Sequence, residues 1–282
     1  MSTRRDFIKS ASLITAGTMI IPWGSCSAST SETGVALYTV RDQMMINPEG
    51  TLGFVAKIGY KNLEAAGYAN GKFYGLTPEK FKQIVEDLGM RLISSHTLLT
   101  EGNYQVVLED AAKAGLKYVV QPVLLGNYRQ SIDTYKQAAE QLNKFGEFAR
   151  NLDIRMGYHN HDFEFKKNEE ILPYDILIEN TDPGLVTMEL DLYWIIKAGN
   201  DPLIYFDKYP GRFELWHIKD MDSSKEQIFT EVGQGTIDFE TIFAQKKKAG
   251  FKYYFVEQDV CRNHAPLESI RISHNYLTLK KF

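Results

Sequence analysis

Two hydrophobic periods alternate along the chain. Short β-rich runs recur at Val35–Val40, Asn62–Ala66, Arg91–His96, Tyr118–Val123, Ile154–His159, Val186–Asp191, Phe213–Lys219 and Tyr253–Gln258. Between them, apolar residues recur at helical spacing, as in Pro78–Leu88, Tyr104–Ala114, Tyr135–Asn151, Phe239–Lys248 and Leu267–Leu279. Several helical stretches end in glycine (Gly59, Gly89, Gly115, Gly250), which accepts the left-handed turn that stops a helix. Thr77-Pro78 starts one well, with Thr as N-cap and Pro in the first turn. Strands alternating with helices predict a parallel sheet covered by helices, and eight such units predict a single-domain α/β (β/α)8 barrel over residues 31–282. The alternative is an open doubly wound sheet. It would carry a glycine-rich turn after its first strand, where this chain reads Tyr38-Thr39-Val40-Arg41-Asp42.

Residues 1–30 read differently. Arg4-Arg5-Asp6-Phe7-Ile8-Lys9 precedes a modest apolar run from Ala11 to Ile21, too short to span a bilayer comfortably. The pair of arginines resembles a twin-arginine export signal and predicts a periplasmic protein with no membrane span. Cys26 follows Trp23-Gly24-Ser25, a poor lipobox, so a lipid anchor at Cys26 is the alternative to cleavage nearby. Cleavage after Ala28 would leave Cys261 as the one cysteine, without an intramolecular disulfide. A net charge of −4 argues against a nucleic-acid partner, which calls for a basic face.

Chemistry in such a barrel sits at the C-terminal ends of the strands. Those ends carry Glu64, His96, Gln121, His159 with His161, Glu189 with Asp191, His217 with Lys219, and Glu257 with Asp259. Residues two apart on a strand face the same way. Four strand ends therefore present paired polar groups to one mouth, and a buried carboxylate needs a compensating cation, an ion pair or water. A divalent metal ion held by Asp191, His217, Glu257 and one of the fifth-strand histidines, His159 or His161, answers that need. Glu189 is either functional or a deeper salt-bridge partner. Lys219 either pairs with Asp220 or Glu257 or binds substrate oxygens. His96, Glu64 and Trp194 are expected as substrate contacts, and His264 and His274 as structural. Aromatic residues near the strand ends (Tyr38, Tyr68, Phe73, Tyr74, Tyr193, Trp194) suit stacking on sugar faces.

Four motifs carry a resemblance covering nearly everything after residue 30. They are Tyr158-His159-Asn160-His161-Asp162-Phe163-Glu164-Phe165, Leu190-Asp191-Leu192-Tyr193-Trp194, Trp216-His217-Ile218-Lys219-Asp220 and Val232-Gly233-Gln234-Gly235-Thr236-Ile237-Asp238-Phe239. The chain resembles the xylose isomerase-like TIM-barrel superfamily, the sugar phosphate isomerase/epimerase group. The resemblance implies one divalent ion (Mn, Co, Mg or Zn) bound at the ends of strands five to eight, with Asp191, His217 and Glu257 matching three ligands. The chain departs at the fourth: His159-Asn160-His161 stands where the family commonly has Glu-Asn-His. That departure is similar to the subgroup containing inosose dehydratases and enzymes of 3-keto sugars.

The expected function is metal-dependent isomerisation or epimerisation of a sugar, through proton abstraction next to a carbonyl and an enediolate. Glu257 is the expected base, with His161 or Lys219 as acid. Elimination from a keto-sugar or 3-keto-glycoside shares the first step and is the alternative. A non-catalytic exported sugar-binding barrel is the alternative from another class. A multi-zinc endonuclease would need more histidines and a basic surface. Export and the missing glycine-rich phosphate cradle favour a free or glycosidically linked sugar over a phosphate ester.

Overall fold

The computed structural model describes residues 32–167 and 170–282, so the expected export signal and Cys26 lie outside the described residues. Eight parallel strands close a barrel: β1 (Gly34–Ala36), β2 (Asn62–Ala65), β3 (Arg91–His96), β4 (Tyr118–Gln121), β5 (Arg155–His159), β6 (Val186–Asp191), β7 (Leu215–Ile218) and β8 (Tyr253–Val256). Each strand pairs with the next, and β8 returns to β1 through Val35 opposite Val256. The expected closed (β/α)8 barrel is therefore the fold, and the open sheet is excluded. Among the described residues no helix is long and apolar enough to cross a membrane.

The alternation along each strand sorts its residues between two cores. One parity (Leu63, Val119, Met156, Tyr158, Met188, Leu190, Trp216, Ile218, Tyr254) joins the large apolar cluster shared with the helices. The other parity faces the barrel interior. There, Ala36, Ile93, Tyr118, Val120, Leu215 and Phe255 form a small separate apolar cluster. Further along the same inward rows come His159, Glu189, Asp191, His217 and Glu257, all buried. The interior is thus apolar on the N-terminal side and ionic on the C-terminal side.

The helix signals hold. Thr77 Oγ1 accepts the Lys80 N–H at 3.3 Å and Pro78 opens the helix Pro78–Asp87. Gly250, at φ +80°, ends Lys246–Ala249, and a Cβ there would come within 2.7 Å of Gly211 Cα. Some boundaries differ. The run Val35–Val40 is a strand only to Ala36; Leu37–Val40 then forms a 3-10 turn leading into a helix, Arg41–Ile46. Continuous apolar runs of this length fit a buried strand or a buried helical turn equally well. The expected helix Phe239–Lys248 divides into Phe239–Ala244 and Lys246–Ala249.

Candidate metal centre

The site is built where β5 to β8 end. β5 runs into Asn160-His161 and a 3-10 turn, Phe163–Phe165. Asn160 stitches this exit to β6: its Oδ1 accepts the Asp191 N–H at 2.9 Å. Glu164, fully buried, fixes the turn from below by accepting the His161 N–H at 2.9 Å and the Tyr158 hydroxyl. Burial pushes the Glu164 carboxyl up to about 7. Asp191 ends β6 and caps the next helix, Leu192–Lys197, with Oδ1 accepting the Trp194 N–H at 2.9 Å. Its other oxygen, Oδ2, lies 3.7 Å from His159 Nε2 and 2.8 Å from Lys219 Nζ.

His159, Asp191, His217 and Glu257 converge: one ligand atom from each lies within 4.8 Å of the others. All four are at most 3% exposed, so their charges have little water to lean on. Two imidazoles and two carboxylates on one spot form a mixed donor set that suits a divalent ion of intermediate softness. A second group, His96, His159, Glu189 and His217, meets the same spacing one layer deeper. There, Glu189 Oε2 lies 2.5 Å from His96 Nε2, 3.2 Å from His159 Nδ1 and 3.3 Å from His217 Nε2. Glu64 Oε1 lies 2.5 Å from His217 Nε2 and 3.2 Å from His96 Nε2.

The protonation states follow from this packing. Burial works against a charged His217, but Glu189, Glu257 and Glu64 outweigh it and hold its pKa well above the ordinary value. Burial drives His159 the other way, aided by His217 and His96. Burial would raise Glu64, yet His96 and His217 keep it below its usual value, whereas burial and the Glu64 charge raise Glu189. Lys219 is 1% exposed, with Nζ 2.8 Å from Asp191 Oδ2, 2.5 Å from Glu257 Oε2 and 3.0 Å from Asp259 Oδ1. Burial opposes its charge, but those carboxylates keep it a firm cation. Of the two partners expected for Lys219, Glu257 is the one it takes. Asp220 turns away and accepts backbone N–H groups from Met221, Gly233, Gly235 and Ile237 at 2.8–3.1 Å. That fixes the loop carrying Val232–Phe239. A Cβ at Gly235 would overlap the Asp220 carboxylate, so glycine is required there.

A cavity of about 520 Å³ opens above the centre, with Tyr38, Tyr68, His96, His161, Lys219 and Asp259 among its lining. His161 stands in its wall, and burial, then Lys219, depress the imidazole to about 3, so it is neutral at pH 7. The other expected contacts divide. His96 lines the cavity, while Glu64 is fully buried beneath it. Trp194 packs behind His161, 5.8 Å between ring centroids, and against Phe229. His274 packs on Tyr60, at 4.9 Å, far from this chemistry in the fold. Sequence reasoning gave no role to Glu164, although a carboxylate between Phe163 and Phe165 was a readable sign of a buried acid.

The sequence profile of the xylose isomerase-like TIM barrel matches residues 52–277. The chain belongs to that family. Xylose isomerase-like barrels similar to it span several activities. An inosose dehydratase of Clostridium tetani is 30% identical over 168 residues, 52% of this chain and 55% of that protein. The chain therefore spans about half the length of the curated relatives it matches. A sugar phosphate isomerase/epimerase from Parabacteroides distasonis superposes with TM-score 0.78 and 28% identity, covering 88% of this chain and 98% of the other. The IOLI protein with a bound zinc atom superposes with TM-score 0.67 over 89% of this chain and 97% of the other; at 14% identity that likeness speaks for the fold alone.

Proposed function

We propose that this protein is a sugar isomerase or epimerase that removes a proton beside a carbonyl, with His159, Asp191, His217 and Glu257 holding one divalent ion. The observation that carries the reading is the convergence of those four buried groups directly below a cavity walled by a neutral histidine. When bound, the ion polarises the substrate carbonyl and acidifies the C–H beside it. Two imidazoles among the ligands suit zinc, manganese or cobalt better than magnesium.

His161 is the candidate base on geometry, because its ring faces the cavity and its Nδ1 is buried without a hydrogen-bond partner. Glu257, the base expected from sequence, is engaged by Lys219 and His217, which hold its carboxyl well below the usual range despite burial. Lys219 keeps its proton and serves as the counter-charge that holds Asp191, Glu257 and Asp259 in place beside the site. His96 offers a polar contact in the cavity lining, and Tyr38 and Tyr68 provide ring faces for the sugar.

The substrate is a sugar or keto-sugar without a phosphate. Among the cavity-lining residues Lys219 is the one lysine or arginine, and its ammonium is committed to three carboxylates. Elimination of a β-substituent after the same proton removal is the second reading. It is favoured by histidine at position 159, where the family commonly has glutamate, and by the inosose dehydratase relatives. Export through Arg4-Arg5 would place either reaction in the periplasm.

Deuterium wash-in tests the shared step. Metal-loaded protein in D2O is incubated with a panel of free sugars, keto-sugars and 3-keto-glycosides, and exchange beside the carbonyl is followed by proton NMR. The wild type exchanges, and His161→Ala slows exchange by about 10²- to 10⁴-fold while retaining its metal. Metal-loaded wild type that exchanges no proton on any member would leave a sugar-binding barrel instead.

A further inference from the structure

A neutral imidazole offers one lone pair; its other nitrogen carries a proton that must be accepted somewhere. In this barrel both nitrogens of His217 and of His159 face carboxylates, one deep and one shallow. His217 Nε2 lies 2.5 Å from Glu64 Oε1, while its Nδ1 lies 3.0 Å from Glu257 Oε2. His159 Nδ1 lies 3.2 Å from Glu189 Oε2, while its Nε2 lies 3.7 Å from Asp191 Oδ2.

We propose that Glu64 and Glu189 are positioning residues: Glu64 accepts the Nε2 proton of His217 and Glu189 the Nδ1 proton of His159, leaving His217 Nδ1 and His159 Nε2 bare for the ion. The inference rests on the reading that a divalent ion is held by His159, Asp191, His217 and Glu257. His96 completes the layer. Its Nε2 spans Glu189 Oε2 at 2.5 Å and Glu64 Oε1 at 3.2 Å, and its ring stacks on His217 with 4.8 Å between centroids and 11° between planes. His96 therefore holds the two acids in place and sets the plane of the His217 ring. Glu64 and Glu189 are each 0% exposed, which removes them from contact with a substrate and assigns them to the ligands above. Carboxylates that accept the distal proton of a ligating histidine orient the ring and raise its basicity.

The deeper group of His96, His159, Glu189 and His217 makes a contrary prediction. An ion there would take His217 Nε2 and His159 Nδ1, the opposite nitrogens. The test therefore reads nitrogens rather than turnover. Zinc is loaded into the full chain carrying 15N-labelled histidine, its affinity is measured by chelator competition, and the ring nitrogens are assigned by NMR. The expected pattern is a protonated Nε2 on His217 and a protonated Nδ1 on His159. Glu64→Leu and Glu189→Leu should each weaken zinc about 10- to 100-fold. Glu64→Gln and Glu189→Gln retain a carbonyl acceptor and should keep the wild-type nitrogen pattern. If a leucine variant does not fold, judged by its melting curve, the wild-type nitrogen pattern still decides. The reversed pattern overturns the inference and moves the ion one layer down. Unchanged affinity in folded leucine variants overturns it while the metal reading stands. Wild type that takes up no zinc, manganese or cobalt takes both readings down.

Discussion

Lys219 is the most exacting place to perturb this site. Its ammonium is 1% exposed and sits within 3.0 Å of carboxylate oxygens from Asp191, Glu257 and Asp259. Lys219→Met retains most of the stem and deletes the charge. Two buried acids and the partly exposed Asp259 then lose their shared counter-charge. Removing one partner of a buried ion pair costs about 3–5 kcal/mol, because the other charge is left uncompensated. For a barrel of this size that corresponds to a melting point lower by roughly 6–20 °C. The sign with pH follows from the shifts. The folded-state pKa of Glu257 is depressed chiefly by Lys219 and His217, so its contribution is present above the ordinary carboxylate pKa and lost as pH falls through the folded value. The stability gap between wild type and variant should be widest at neutral pH and narrow as the acids protonate. A divalent ion should narrow it too, by supplying charge to Asp191 and Glu257. The assay is urea denaturation in chelator and then in zinc, from neutral pH down through the carboxylate range. A gap under about 1 kcal/mol at neutral pH, or one that does not change with pH, would refute the electrostatic account of this centre.

Other outcomes follow from single groups. Glu164 is fully buried with its carboxyl raised to about 7, so the folded protein holds a proton there that the unfolded chain has lost. Its contribution is complete below the unfolded pKa and is lost as pH rises toward 7, a swing of about 3 kcal/mol. Glu164→Gln should flatten that slope in urea denaturation; an identical slope would assign the pH dependence to another group. Replacing Arg4 and Arg5 with lysine should retain the protein in the cytoplasm, read by cell fractionation, and unaltered export would remove the twin-arginine assignment.

Much of this site was legible because a strand has a period of two. The pairs Glu189 with Asp191, His217 with Lys219, and Glu257 with Asp259 had to share a face, and that face is the barrel interior. Depth was not legible. Glu64 and His96 looked alike as polar strand ends, yet His96 reaches the cavity wall and Glu64 lies under it. Depth is set by the stagger of strands around the barrel and by the irregularity between Leu63 and Glu64 where β2 meets β3. Neither is written in a local pattern. The direction of Asp220 was hidden for a similar reason: its partners are backbone N–H groups of Gly233 to Ile237, which composition does not announce. The early end of β1 shows the limit of an apolar run, since Leu37 and Val40 are buried in a 3-10 turn as fully as they would be in a strand.

The central claim is that His159, Asp191, His217 and Glu257 hold one ion. Elemental analysis of the purified chain and of Asp191→Ala, with folding confirmed by circular dichroism, tests it directly. Close to one equivalent of a divalent metal is expected in the wild type and almost none in the variant. Equal metal in both, or a folded wild type that stays empty after incubation with zinc, manganese and cobalt, would contradict it.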